Sequence, residues 1–261
     1  MERAAPHHRF DLDAALERWL KLADTGEHHG SMHRDRSKRR VCLTSTVTAL
    51  LRRRLIIVLH TRSRGQRDNK NALVETDINI APFATMDRRR RVRADKRIQE
   101  LQSTISSAFQ SHLFTHLYPR STISISLHVL SLDGGLLVAC LNAASLALVD
   151  AGVPMPSILS AVSCGVIVPT EDSKAKPEPL LDLNTAEEQE LAYLSIATVS
   201  GGEGAEDKVS VLVMESRVEI ATGSGKVEAM LATGVDGCRE VRRKMEDVIR
   251  KHGAKVMMTP R

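Results

Sequence analysis

Apolar and polar positions along this chain keep regular periods from residue 71 onward and lose them before it. The segment NALVETDINIAPF, from Asn71, alternates loosely and reads as a strand. Ile98, Leu101, Ile105, Ala108, Phe109 and Leu113 then recur at three- and four-residue steps, predicting one helix over about 95–117 that Tyr118-Pro119 stops. Ile123, Ile125, Leu127 and Val129 alternate with Thr122, Ser124, Ser126 and His128, a half-buried strand. Asp133-Gly134-Gly135 turns the chain. Residues 136–149 are apolar nearly all round, with Asn142 and Ser145 as polar exceptions, so this helix is expected to be buried on most sides and to end at Gly152 and Pro154. Residues 158–168 form the next buried strand, and residues 191–199, 209–214 and 217–220 read as further strands around a Gly-rich hairpin loop at 201–207. A last helix over about 226–252 carries Val227, Met230, Leu231, Val235, Cys238, Val241, Met245, Val248 and Ile249 on its apolar face.

Before residue 71 the pattern is weaker. Residues 11–23 read as an amphipathic helix with Leu12, Leu16, Trp19 and Leu20 on one face and Asp11 or Asp13 as its candidate cap. From Glu27 to Lys70, basic runs interrupt short apolar pieces, of which Leu55–Leu59 is strand-length, and no clear architecture emerges.

Composition adds three constraints. No apolar run approaches the roughly 18 residues of a membrane span, and the mean hydropathy of −0.17 fits a soluble protein. The opening MERAAPHHRF lacks the layout of a secretory signal. Cys42, Cys140, Cys164 and Cys238 are widely spaced, as expected of reduced, mostly buried thiols inside a cell. Charge is distributed unevenly: residues 1–100 hold 23 Lys/Arg against 13 Asp/Glu, and the remainder hold 14 against 19. A basic first part suits an acidic partner such as nucleic acid, and over residues 31–70 equally a poorly ordered basic arm.

Several apparent motifs carry no chemistry. Gly223-Ser224-Gly225-Lys226 lacks the earlier Gly and following Ser/Thr of a phosphate-binding P-loop. His7-His8 and His28-His29 have no partners at ligand spacing, so no metal and no cofactor are expected. Ser163-Cys164-Gly165 reads as core strand rather than nucleophile.

The ordered pieces INI-x-PF, KRIQELQ, LYPRS-x-I-x-I, HVL-x-x-DGG, LNAASLALVDAGVPM, SCGVI and LLDLN-x-x-EE carry a resemblance. Residues 71–261 resemble the RNase PH-like subunits of the RNA exosome ring, and among them the eukaryotic counterpart of the subunit bearing the active site in archaeal exosomes. The resemblance implies an α+β, RNase PH-like (ribosomal protein S5 domain 2-like) mixed sheet with packed helices. It divides the chain into a divergent or poorly ordered basic region, 1–70, and the domain proper, 71–261. The Arg-x-Asp-Gly-Arg, Gly-x-Thr and Gly-Pro pieces that open family members are absent from residues 1–70.

What the resemblance implies about function turns on a few positions. Phosphorolysis must neutralise two adjacent phosphates. Active relatives read Gly-Thr-Arg where this chain has Gly135, Leu136 and Leu137, and two leucines supply neither hydroxyl nor cation. The family's two aspartates fall on Asp182 and Glu188, with Glu187 beside the latter. These three acids also read as a solvated loop and helix start. An arginine pair that grips RNA in active relatives falls on Lys96 and Arg97, after Arg88, Arg89, Arg90, Arg91 and Arg93, with Arg120 a further candidate; a solvated charged face is the alternative. The expected function is a non-catalytic ring subunit that scaffolds RNA processing and threads RNA. Its partners would be other RNase PH-like subunits in a hetero-hexameric ring, S1/KH cap subunits, a hydrolytic nuclease and RNA, with no membrane, in nucleus, nucleolus and cytoplasm. The alternative is an active phosphate-dependent 3′-to-5′ exoribonuclease.

Overall fold

The computed structural model describes residues 43–44, 55–62, 71–84, 95–119, 121–167, 178–201, 206–215 and 226–258, all within the unit Asp35–Arg261. The amphipathic helix expected at 11–23 and the strand expected at 217–220 lie outside the described residues, as do His7, His8, His28 and His29.

Two four-stranded sheets are present among these residues. The first contains β1 (Leu43–Thr44), β2 (Leu55–Arg62), β3 (Leu73–Ile80) and β4 (Thr122–Val129), in the order β1-β2-β4-β3. β3 and β4 are parallel and the other pairs antiparallel. A parallel pair needs a crossover, and α1 (Lys96–His112) supplies it. The second sheet is wholly antiparallel, with β5 (Ser160–Ile167), β6 (Glu178–Leu181), β7 (Ala192–Val199) and β8 (Lys208–Glu215) in the order β6-β5-β7-β8. The fold is therefore α+β, its mixed character confined to the first sheet.

Among the described residues, two strands precede residue 71. The run LIIVLHTR pairs along its whole length with β4, from Leu55 opposite Val129 to Arg62 opposite Thr122. Its β-branched and apolar residues suit a pleated strand, but the arginine runs on either side hide it from a periodicity reading.

The alternation expected in β4 is realised residue for residue: Ile123, Ile125, Leu127 and Val129 are buried and their neighbours half-buried. These side chains meet α1 and α2 (Leu136–Asp150), which also pack on Leu159, Ala161, Ala197 and Val211 of the second sheet region. A helix enclosed from both sides has no solvent face, which is why α2 is apolar all round. Its polar exceptions pin it to β5. Asn142 donates to the Ala161 carbonyl at 2.9 Å and accepts from the Ala161 N–H at 2.7 Å. Ser145 donates to the Leu159 carbonyl at 2.8 Å. Both side chains are fully buried, so each bond satisfies a backbone group that water cannot reach.

The outer face of the second sheet is covered by α4 (Lys226–Met258), where Met230 and Cys238 meet Val162, Cys164, Leu194 and Ile196. Gly234 permits this approach: a Cβ there would lie 2.9 Å from Ile196 Cγ2. The helix continues to Met258, six residues beyond the expected end.

α1 stops at His112 rather than near Leu117. Thr115–Leu117 instead form a 3₁₀ turn, whose Thr115 carbonyl accepts from the Ala72 N–H at 3.0 Å. A tertiary backbone bond thus draws the chain out of the helix five residues earlier than its periodicity implies. α1 also shields the edge of β3: Gln110 accepts from the Val74 N–H at 2.8 Å and donates to the Ala72 carbonyl at 2.9 Å. Two edge groups that could template foreign strands are thereby occupied.

Candidate functional site

The site is set by where parallel β3 and β4 end. Ile80 and Val129 are register partners, and the pairing persists beyond the sheet. The Ala81 N–H donates to the Val129 carbonyl at 2.9 Å, and the Leu132 N–H to the Ala84 carbonyl at 2.9 Å. The Asp133-Gly134-Gly135 turn therefore starts beside the 81–84 turn.

α1 returns antiparallel along β3, with Gln110 at Val74 and Gln102 donating to Asp77 at 3.3 Å. From Gln102 to Lys96 the helix rises about 9 Å, and from Asp77 to Ile80 the strand advances about 10 Å. Lys96 and Arg97 therefore reach the same end of the sheet. Both are exposed, and the Asp95 side chain caps the helix by accepting from the Arg97 N–H at 3.1 Å. The first turn of α1 holds no acid. Two cations at the positive end of a helix dipole cost stability rather than contribute it. Arg88, Arg89, Arg90, Arg91, Arg93 and Arg120 lie outside the described residues.

The turn itself is left-handed at both glycines, with φ of 75° at Gly134 and 47° at Gly135. Against it lies the loop that leads from β6 through Asp182 to α3 (Thr185–Glu190). A Cβ on Gly134 would stand 2.6–2.8 Å from backbone atoms of Leu183, Asn184 and Thr185. Only a glycine permits that approach. The loop is held from behind, where the Leu183 N–H donates to Ser163 Oγ at 3.2 Å and the Asp182 N–H to the Ser163 carbonyl at 2.9 Å. The Thr185 N–H reaches Asp133 at 3.4 Å.

The three acids of this loop have distinct environments. Glu187 closes a capping box with Asn184, accepting from its N–H at 2.8 Å while Asn184 accepts from the Glu187 N–H at 2.9 Å. Asp182 is exposed and holds a left-handed φ of 59°, unusual for a residue with a side chain. Glu188 reaches back across the gap, and its carboxylate accepts the N–H of Gly135, the N-cap residue of α2. An anion from the chain itself thus lies at the helix N-terminus, where the positive end of the dipole favours it.

The two leucines have also joined the body of the fold. Leu137 is buried in the main core, and Leu136 is half-buried against it. The structure thus brings Gly135, Leu136 and Glu188 together from sequence positions 53 apart, with Asp182 on the same loop.

Ser163, whose sequence context marks only a core strand, is the post that holds this loop. Its neighbour Cys164 is inert: burial, reinforced by nearby Cys238, pushes its thiol up to about 11. Such a thiol supplies no thiolate near neutrality. Cys140, Cys164 and Cys238 are all buried. The capping box was legible as Asn-x-x-Glu before a helix; the contact of Glu188 with Gly135 had no sequence signal.

The family model for RNase_PH, the 3′ exoribonuclease family, domain 1, matches residues 56–154, beginning inside β2. The chain is 31% identical over 195 residues to the exosome complex component SKI6 of Saccharomyces cerevisiae, covering 74% of this chain and 73% of that protein. It is 36% identical over 187 residues to the exosome complex component RRP41 homolog of Arabidopsis thaliana, covering 72% and 71%. To the exosome complex component RRP41 of Homo sapiens it is 32% identical over 194 residues, covering 73% and 71%. Its fold is similar to that of rice (Oryza sativa) Rrp46, with a TM-score of 0.61, 22% identity, and coverage of 76% of this chain and 84% of that one. Motifs, sheet topology and these likenesses converge: the chain has the RNase PH-like fold and belongs to the RNase PH-like 3′ exoribonuclease family.

Proposed function

We propose that this chain is a non-catalytic, RNase PH-like ring subunit of the RNA exosome. In this role it joins other RNase PH-like subunits in a hetero-hexameric ring, beneath S1/KH cap subunits, and passes RNA towards a hydrolytic nuclease. It acts in the nucleus, nucleolus and cytoplasm. The observation that carries the reading is the Glu188 carboxylate on the Gly135 N–H. Attacking phosphate would need that N–H, and a carboxylate and a phosphate at contact distance repel each other. Leu136 and Leu137 offer no cation to offset the repulsion.

A second reading, phosphate-dependent 3′-to-5′ exoribonuclease, draws on Asp182, whose strained φ of 59° keeps a family carboxylate in place. The two readings differ in one measurement. The assembled ring, given single-stranded RNA with and without inorganic phosphate, is expected to release no nucleoside diphosphate from this subunit. Phosphate-dependent release that disappears in Asp182→Asn would overturn the scaffold reading.

The RNA path is supported by Lys96 and Arg97, two exposed cations held at a helix end where they cost stability. Replacing both with serine is expected to lower RNA affinity and to reduce the slope of log K against log salt by about 1 to 1.5, at roughly 0.7 per phosphate contact on a single strand. An unchanged slope across a salt series would remove these residues from the path.

A further inference from the structure

We infer that Phe83 is a base-stacking residue for single-stranded RNA, placed where RNA passes the Lys96–Arg97 end of α1. The inference rests on the RNA-threading reading and adds to it a contact of different chemistry.

Aromatic side chains make up only 3% of this chain, with four phenylalanines. The described phenylalanines contrast sharply. Phe109 is fully buried in the core. Phe114 is 39% exposed and meets His116 edge-on, with ring centroids 5.9 Å apart. Phe83 is 66% exposed. A large apolar side chain left in water forgoes about 2 kcal/mol of burial.

Phe83 is also presented rigidly. It occupies the 81–84 turn, closed by the Ala84 N–H donating to the Ala81 carbonyl at 2.9 Å. Backbone bonds tie both ends of that turn to the end of β4 and the segment after it, through Ala81 to Val129 and Leu132 to Ala84. Pro82 fixes one further dihedral, and Ala84 is buried beneath. A ring on such a pedestal loses little freedom when a base settles on it.

Its surroundings suit nucleic acid. Lys96 and Arg97 reach this end of the sheet along α1, and both are exposed. Sequence-tolerant binding of single strands combines cations for the phosphates with an aromatic face for the bases. Backbone contacts alone would leave affinity governed by salt, whereas a stacked base adds a term that salt does not screen.

The test uses the full chain and a single-stranded oligoadenylate carrying one 2-aminopurine. Phe83→Ala is expected to weaken binding about tenfold, the loss for one stacked base, with the salt slope unchanged and the 2-aminopurine quenching reduced. Phe83→Trp is expected to retain both affinity and quenching. Lys96→Ser with Arg97→Ser should show the opposite pattern, a lower slope with quenching retained in the remaining complex. If the wild-type chain binds RNA with normal salt dependence and Phe83→Ala binds equally well, the stacking role is wrong while the RNA path stands. If the wild-type chain binds no RNA at any salt concentration, both fall. If Phe83→Ala binds RNA normally and loses association with other RNase PH-like subunits, Phe83 is a protein contact and the inference is overturned.

Discussion

Replacing Gly134 with alanine is expected to destabilise this protein by about 3 kcal/mol, the sum of a left-handed backbone penalty and an overpacked contact. The φ of 75° is unfavourable for any residue with a Cβ, and that Cβ would stand 2.6 Å from the Asn184 carbonyl carbon and 2.7 Å from the Leu183 oxygen. Those neighbours are backbone atoms, so no rotamer change relieves the clash. The Ser163 and Asp133 contacts resist movement of the loop as a whole. In a domain of this size the melting temperature should fall by roughly 10 °C. Gly152→Ala provides the comparison: its φ is 71°, but its Cβ meets nothing within 4 Å. A Gly134 variant that melts like the Gly152 variant would show that the turn and the carboxylate loop are not in the contact described.

Arg242→Ala is expected to have the largest effect of all, about 3–5 kcal/mol, because it removes the buried partner of a buried carboxylate and leaves Asp207 only the half-exposed Arg239. Arg242 runs from α4 into the β7–β8 region, where it donates to Asp207 at 2.8 Å and to Thr198 Oγ1 at 2.8 Å. The side chains of Arg242 and Asp207 are each only 9% exposed. Arg239 adds a more exposed contact to the same carboxylate at 2.7 Å. Arg242→Met combined with Asp207→Leu should recover most of the loss, since a buried ion pair replaced by apolar groups is often neutral. A single variant as stable as the wild type would mean that the pair is open to water.

This pair also sets a pH dependence. Burial would raise the Asp207 carboxyl, but hydrogen bonds and charge from Arg242 and Arg239 outweigh it and hold the group below its ordinary 3.8. A carboxyl that binds its proton less tightly when folded stabilises the fold at pH values above the unfolded range. That contribution should be lost as pH falls below 3.8 towards the lowered value, so the gap between wild type and Arg242→Ala narrows in acid.

The fold was legible wherever a period was long enough to exclude alternatives. Ile123 to Val129 could only be a half-buried strand, and an all-apolar helix with Asn142 and Ser145 could only be enclosed. β2 was legible as a strand-length run but not as part of the sheet, because its pairing with β4 is non-local. The period of α1 runs past its true end at His112, because no sequence period records the Ala72–Thr115 bond.

The candidate site divides in the same way. From sequence alone, Leu136 and Leu137 stand where the resemblance implies a hydroxyl and a cation, and a side chain's chemistry does not depend on the fold. Glu188 also followed Asp182 at the family's spacing. Which acid does what was decided by tertiary structure. Glu187 turns inward to cap its own helix, and Glu188 crosses to the α2 N-terminus, because the left-handed turn at Gly134 lets two distant segments meet backbone to backbone. The sequence determined which groups are present; only packing decided that one of them, Glu188, lies at the N-terminus of α2.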